Sequence, residues 1–320
     1  MIKRLLLGLL VLLLLLAAVL AANTLRKGSR QIDVAPIAEL PVDKQAAAAH
    51  LSEAVQARTI SSRTDPAQNA DQFARLQAML QERYPKAHAV LKREIISDLS
   101  LLYTWQGSDP KAKPIMLMAH QDVVPVSPGT EDKWVAEPFA GTIRDGFVWG
   151  RGAWDDKGNL IAQMEAVEML AASGYRPERT IYLAFGADEE VAGERGAAKI
   201  AALLKERGVR LDFVIDEGLL ITEGIMPGLD KPTAIIGVAE KGYLSIQVTI
   251  DAVPGHSSMP PPEGTSAIAM MAAALQQIDR NPMPASISGV ADDMFATIAP
   301  EMNGLSRVAL SNLWLFGPVV

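Results

Sequence analysis

Five short motifs hold the side chains with the most chemical potential in this chain. In order they are AHQD (residues 119–122), GRGAWDDKG (150–158), ADEE (187–190), IDEG (215–218) and PGHSS (254–258). The first four set a His or a carboxylate at or just beyond the end of an apolar run. Apolar runs become buried strands, and strand ends are where α/β sheets build their sites. A single imidazole among several carboxylates is a hard-to-borderline donor set. It suits a divalent metal cluster better than a nucleophile triad.

Each motif has a plainer account beside the metal one. His120 and Asp122 are two apart on a strand and so share a face. Asp122 can then accept the second ring N–H of His120 and leave the other nitrogen for a metal. Taken alone, a buried structural His–Asp pair explains them better. Asp155 and Asp156 open a helix within a turn bounded by Gly150, Gly152 and Gly158, where glycine allows a tight bend. A helix cap needs one Asp, not two. Asp188, Glu189 and Glu190 repel one another, and a cation offsets that repulsion. One Glu can ligate while its neighbour serves as the base for water activated by the metal. A solvated acidic turn is the bland alternative, here and at Asp216-Glu217. His256 sits in a polar turn, where a substrate or transition-state contact suits it better than a metal. A loop histidine with no role is the alternative there.

The elements that must position these residues follow from periodicity. Residues 101–105, 115–120, 180–186 and 211–215 are strand-like. Residues 157–172 are helical, with Leu160, Met164, Val167 and Leu170 on one face, and so are residues 196–207. Alternating strands and helices predict an α/β fold, a mixed and largely parallel sheet flanked by helices. Its acid-bearing strand ends converge on one edge. Asp145-Gly146 between apolar residues predicts a hairpin. Residues 44–57 and 71–84 read as amphipathic helices, and His50 and His88, in these outer segments, are both taken as ordinary histidines. Near residue 240 the texture changes. Residues 244–250 alternate like a half-exposed strand, residues 266–278 form an Ala- and Met-rich helix, and residues 312–320 are strand-like. The expected organisation is a signal-anchor or signal peptide (1–25), a linker (26–43), a catalytic domain (44–238) and a second α+β domain (239–320).

Bulk properties narrow the function classes. The 320 residues are 49% hydrophobic with a net charge of −7, which argues against a nucleic-acid partner. No cysteine is present, so disulfides, thiolate sites and Cys nucleophiles are excluded. Lys3 and Arg4 precede an unbroken apolar run, residues 5–22, that reaches membrane-span length. A membrane anchor is the first reading and a cleaved signal peptide the second. Either puts the catalytic part outside the cytoplasm, although Arg26, Lys27 and Arg30 also flank the run.

The motif order HQD, GRGAxDDKG, DEE, DEG, GHSS resembles the dinuclear zinc peptidases and acylases. These include carboxypeptidase S, aminoacylase-1, the glutamate carboxypeptidases and the desuccinylases of lysine synthesis. The stretches LLYTWQGSD, AHQDVVPV, DGFVWGRGAWDDKG and GHSSMPP, with Trp134, Pro138 and Phe139, are most similar to the carboxypeptidase S branch and its secreted N-acyl-amino-acid hydrolases. The likeness runs from about residue 40 to 320. It implies a zinc exopeptidase-like fold with an inserted lid and dimerisation domain, and two zinc ions. By resemblance, His120 and Asp216 bind the first zinc, Asp155 bridges both and Glu190 binds the second. Glu189 is the general base, Asp122 orients His120, and His256 reaches from the lid to stabilise the oxyanion, usually across a homodimer. A cis Asp155–Asp156 peptide is expected. The substrate would be a small peptide or an N-acyl amino acid with a free carboxylate beside the scissile amide.

One departure stands out. The family closes its second zinc site with a far-downstream His, and His50, His88, His120 and His256 do not fill that place. The lid is therefore expected to be incomplete and the chain truncated. A membrane-anchored, inactive binding or dimerisation protein is the rival reading. A serine hydrolase ranks low because Ser257-Ser258 lacks the G-x-S-x-G elbow. No HExxH motif is present.

Overall fold

A computed structural model describes residues 1–240, 242–256 and 258–320. Ser257 of the GHSS motif lies outside the described residues. The chain opens with helix α1 (Ile2–Arg26). It then divides into two compact units, Pro36–Glu217 and Met1–Ala35 with Gly218–Val320.

The Pro36–Glu217 unit contains helices α2 (Lys44–Val55), α3 (Ala70–Arg83), α4 (Pro85–Val90), α5 (Lys157–Ala172) and α6 (Ala197–Glu206). Its main sheet contains β1 (Leu91–Ile96), β2 (Ser100–Trp105), β3 (Ile115–His120), β6 (Ile181–Gly186) and β7 (Val214–Ile215). Strands β4 (Thr142–Arg144) and β5 (Phe147–Trp149) make a separate hairpin. Asp145 and Gly146 turn it with φ of 56° and 82°, the positive pair that a two-residue hairpin loop demands.

The sheet order is β1-β2-β6-β3-β7. It is mixed, as expected: β1, β2 and β6 pair antiparallel, while β6, β3 and β7 pair parallel. The AHQD, ADEE and IDEG motifs follow the ends of the three parallel strands, but the Asp155–Asp156 motif follows the β4–β5 hairpin, so not all the acids come from one sheet as expected. Strand β2 is buried on both faces, so its run SLLYTW shows no clean alternation of apolar and polar residues. Tyr103, Leu183, Phe185, Leu160, Met164, Leu76 and Leu80 fill one core. Leu102, Met116, Ala184, Ile200 and Leu204 fill another. The short α4 and the edge strand β1 escape a periodicity reading, since α4 is under two turns long and β1 (LKREII) carries three charged residues in six and shows no apolar run.

Lys157 is fully buried at the start of α5. Its ammonium donates to the backbone carbonyls of Ala54 at 3.0 Å and Ala57 at 2.5 Å, tying the end of α2 to the site turn. Desolvation pushes its pKa down to about 7. Lys157→Met keeps the stem but strands two carbonyls. It is expected to cost about 1–3 kcal/mol in urea unfolding, and an unchanged midpoint would overturn this.

In the other unit, β8 (Ile221–Thr222) pairs antiparallel with β9 (Thr233–Ala234). Helices α7 (Ala267–Arg280), α8 (Val290–Ile298), α9 (Gly304–Ser311) and α10 (Leu313–Phe316) follow. Leu229, Ile298, Ala299, Met302 and Leu310 form its small core. Two expectations are corrected here. Residues 244–250 form no strand and stay largely exposed, since an alternating segment needs a hydrogen-bonded neighbour to become one. The apolar run 312–320 is helical rather than strand-like, because a short apolar run carries no period that separates the two. Helix α1 has a mean hydropathy of 3.2 over its best 18-residue window, which is long and apolar enough to cross a membrane.

Candidate metal centre

His120 is the last residue of β3 and is 2% exposed. Its Nδ1 lies 3.0 Å from the backbone oxygen of Asp122. Its Nε2 lies 3.0 Å from Asp155 Oδ1, 3.3 Å from Glu217 Oε2 and 3.9 Å from Glu189 Oε2. The ring is thus aimed by main chain on one side and opens onto carboxylates on the other.

Asp122 is fully buried. One of its oxygens is 3.4 Å from His120 Nδ1. Its strongest partners are elsewhere: the backbone N–H groups of Glu189 and Glu190, each at 3.1 Å, and the Ser61 hydroxyl at 2.7 Å. Asp122 therefore joins the end of β3 to the turn after β6.

The three acids after β6 part ways. Asp188 is buried and accepts from the backbone N–H groups of Arg195 and Gly196, both at 2.8 Å. A Cβ at position 196 would sit 2.7 Å from Asp188 Oδ1, so glycine is required there. Glu189 and Glu190 are freed for the cluster. On the facing turn the Asp155–Asp156 peptide is cis. Asp156 is 2% exposed, and its carboxylate accepts the His120 backbone N–H at 3.1 Å. Gly152 has φ of 80°, and a Cβ there would meet Val123 Cγ1 at 2.6 Å.

Among the described residues two donor sets result, His120/Asp155/Glu190 and His120/Asp156/Glu217, with ligand atoms within 4.8 Å of one another in each. Of the sequence-expected residues, His120, Asp122, Asp155, Glu189 and Glu190 come together. Asp216 belongs to neither donor set; β7 ends at Ile215 and the Asp216 carboxylate accepts the Glu217 N–H at 2.9 Å. His256 is in the other unit, exposed, with its Nδ1 2.7 Å from the Ser258 hydroxyl. His50 pairs with Glu165 at 2.6 Å, and His88 contacts Tyr84 and Tyr103. Glu217 and Asp156 are the additions, each the second acid of a doublet whose first member drew attention. That doubling is the signal available in the sequence.

Electrostatics match an ion-binding cluster. Burial lowers the His120 pKa, but the Asp122 hydrogen bond and the charges of Asp122, Glu217 and Asp156 outweigh it and hold the group up at about 10. Burial, then the Glu217 charge, pushes Asp156 up to about 7. Burial, with the charges of Asp155, Glu189 and Asp216, pushes Glu217 up to about 7. Burial raises Glu189 and Glu190 too, with Asp155 the leading charge on Glu190.

Above about 7 the proton His120 keeps is offset by the one Lys157 loses, but from the ordinary carboxylate range up to about 7 the metal-free fold binds more protons than the unfolded chain. Its stability falls as pH rises across that window. Metal binding needs these groups deprotonated and so releases protons. The gap in Tm between zinc-loaded and chelated protein is expected to widen from pH 6 to pH 9, by about the amount that tighter binding adds. A gap that narrows would overturn this.

The comparisons with known proteins bear on the same stretch. The model described as "Peptidase family M20/M25/M40" matches residues 116–312. The chain belongs to this peptidase family. It is 40% identical over 273 residues to the Mus musculus N-fatty-acyl-amino acid synthase/hydrolase, covering 84% of this chain and 53% of the mouse protein. It is 37% identical to the probable carboxypeptidase S-like 2 of Dictyostelium discoideum, over 100% of this chain and 61% of that protein. Among solved structures, an M20 family metallo-carboxypeptidase of Sulfolobus solfataricus aligns with a TM-score of 0.43 at 21% identity, covering 54% of this chain and 37% of that one. The chain spans about half the length of the vertebrate relatives it matches. Family membership implies a metal centre, and one imidazole with carboxylates on each side is a donor set that fits a divalent ion.

Proposed function

We propose that the site serves a zinc-dependent amidohydrolase that cleaves an amide next to a free carboxylate, in a small peptide or an N-acyl amino acid. The observation that carries this reading is the convergence of His120, Asp155 and Glu190 on one point beside Glu189. The printed names of the mouse and Dictyostelium relatives point to these two substrate classes. His120 and Asp216 would hold one ion, Glu190 the second, and Asp155 both, with Glu217 as the alternative to Asp216 beside the His120 ring. A bound ion supplies Lewis-acid polarisation of the carbonyl and a lowered pKa for water. Glu189 takes the proton from the attacking water and delivers it to the leaving amine. Asp122 holds the 189–190 turn so that this carboxylate stays aimed. His256 supplies the oxyanion contact from the lid, and the lid pairs two copies of the chain. Helix α1 anchors the protein in a membrane, with the catalytic part outside the cytoplasm.

A second reading rests on a specific observation: both donor sets share the one imidazole of His120. On that reading the chain binds one ion or none and acts by binding or dimerisation. Metal analysis of purified protein, paired with hydrolysis of Gly-Leu and of N-acyl-leucine, separates the two. Two zincs per chain with turnover supports the hydrolase, and the preferred substrate then names its class. One or none without turnover overturns it.

A further inference from the structure

Helix α1 is exposed along most of its length, but its last turns are not left bare. Leu16, Leu20 and Asn23 are half-buried and Thr24 is buried, a stripe spaced at three to four residues. The group lying on that stripe is Asn312, wholly buried between α9 and α10. Its Nδ2 reaches the backbone oxygens of Val308 at 2.8 Å and Leu20 at 3.3 Å, and the Thr24 hydroxyl at 3.3 Å. Its Oδ1 accepts the Asn23 amide at 2.9 Å and the Trp314 indole N–H at 3.3 Å. A buried side-chain amide with both ends satisfied is a specific joint, because any slip leaves polar atoms unpaired.

The position of that joint has a consequence, which rests on the reading of α1 as a membrane anchor. In a spanning helix whose apolar run ends at Ala22, Leu20 to Thr24 mark the level where hydrocarbon gives way to headgroups. The segment α9–α10 is pinned at that level. With the 3-10 turn that follows it (Gly317–Val319), it presents Leu305 at 86% exposure, Trp314 at 62%, Val319 at 82% and the half-exposed Leu315. Tryptophan and flanking aliphatic side chains are what the bilayer interface favours. The same end of α1 carries Arg26, Lys27 and Arg30, a charge suited to anionic headgroups.

We infer that α9–α10 with the turn after it is an interfacial element, seated through Trp314, Leu315 and Val319 in the headgroup layer of an anionic bilayer beside the end of α1. The Asn312 joint sets its depth, and the basic residues set its preference for anionic lipid.

The absence of cysteine makes single-site labelling clean. The full chain would carry a nitroxide at Leu315→Cys or Val319→Cys, with Lys111→Cys, exposed in the other unit, as the aqueous reference. It would be reconstituted in phosphatidylcholine–phosphatidylglycerol vesicles, and flotation recorded first. The expected result is a floating protein whose labels at 315 and 319 relax with dissolved oxygen and are shielded from a water-borne nickel chelate, while the label at 111 shows the reverse. Protein that floats with water-accessible labels at 315 and 319 overturns this inference and leaves the anchor intact. Protein that does not float overturns the anchor reading and this inference with it. Spin–spin broadening between labels on separate chains would make the occupant a second copy and equally overturn the lipid assignment.

Discussion

Glu189→Gln is expected to lower kcat by about 10²- to 10⁴-fold, the range general acid–base groups supply, while zinc content stays at its wild-type level. Glu189 is in neither donor set, so the amide does not remove a ligand. Its backbone N–H is fixed by Asp122 at 3.1 Å, which keeps the substituted side chain in place. Its carboxylate is 3.9 Å from His120 Nε2, at the edge of the cluster, where a water could stand between base and ion. Burial and the charges of Asp122, Asp155 and Asp216 raise its pKa, the direction a base working near neutrality requires. Glutamine has the same shape but takes no proton. Single-turnover hydrolysis of N-acyl-leucine, with metal measured on the same sample, checks this. A variant with wild-type kcat would move the base elsewhere, and one that loses zinc would make Glu189 a ligand.

The second large effect is on metal uptake. His120→Ala deletes the imidazole that both donor sets share. The loss in zinc affinity should exceed the roughly 10- to 100-fold cost of removing an outer partner. Carboxylates alone suit harder cations better than zinc. Removing His120 also takes away the group whose charge opposes the upward shifts of Asp156 and Glu217. Those acids then hold their protons more tightly and compete harder with the ion. Competition titration with a chromophoric chelator reads the affinity. Asp216→Asn and Glu217→Gln belong in the same series. The geometry predicts the larger loss at Glu217, 3.3 Å from the His120 ring. The resemblance predicts it at Asp216. Equal affinity in wild type and His120→Ala would remove this cluster as the metal centre.

Much of the scaffold was legible because its longer helices show a period and its buried strands show as apolar runs. The bounds of α5 coincide with the 157–172 pattern, and β3 with the 115–120 run. The Asp145-Gly146 turn was readable because few dipeptides tolerate two positive φ angles in a row. Segments 244–250 and 312–320 were misread for a shared reason. Whether a short stretch becomes strand, helix or neither depends on the neighbour it finds, and a linear pattern does not contain the neighbour.

The sequence by itself determined which side chains could take part. Of its four histidines one, His120, stands with a set of acids at strand ends; it has no thiol and an apolar leading helix, and residue type sets donor hardness and charge before any folding occurs. Only the tertiary structure decided how the acids were shared out. Asp188 turned away to cap a backbone turn, Asp122 became the brace for 189–190, and Asp156 and Glu217 entered the cluster. Adjacent acids are chemically alike along the chain. Which of them meets an N–H group, an imidazole or solvent is set by the direction in which each strand end releases it, and that direction exists only once the sheet has formed.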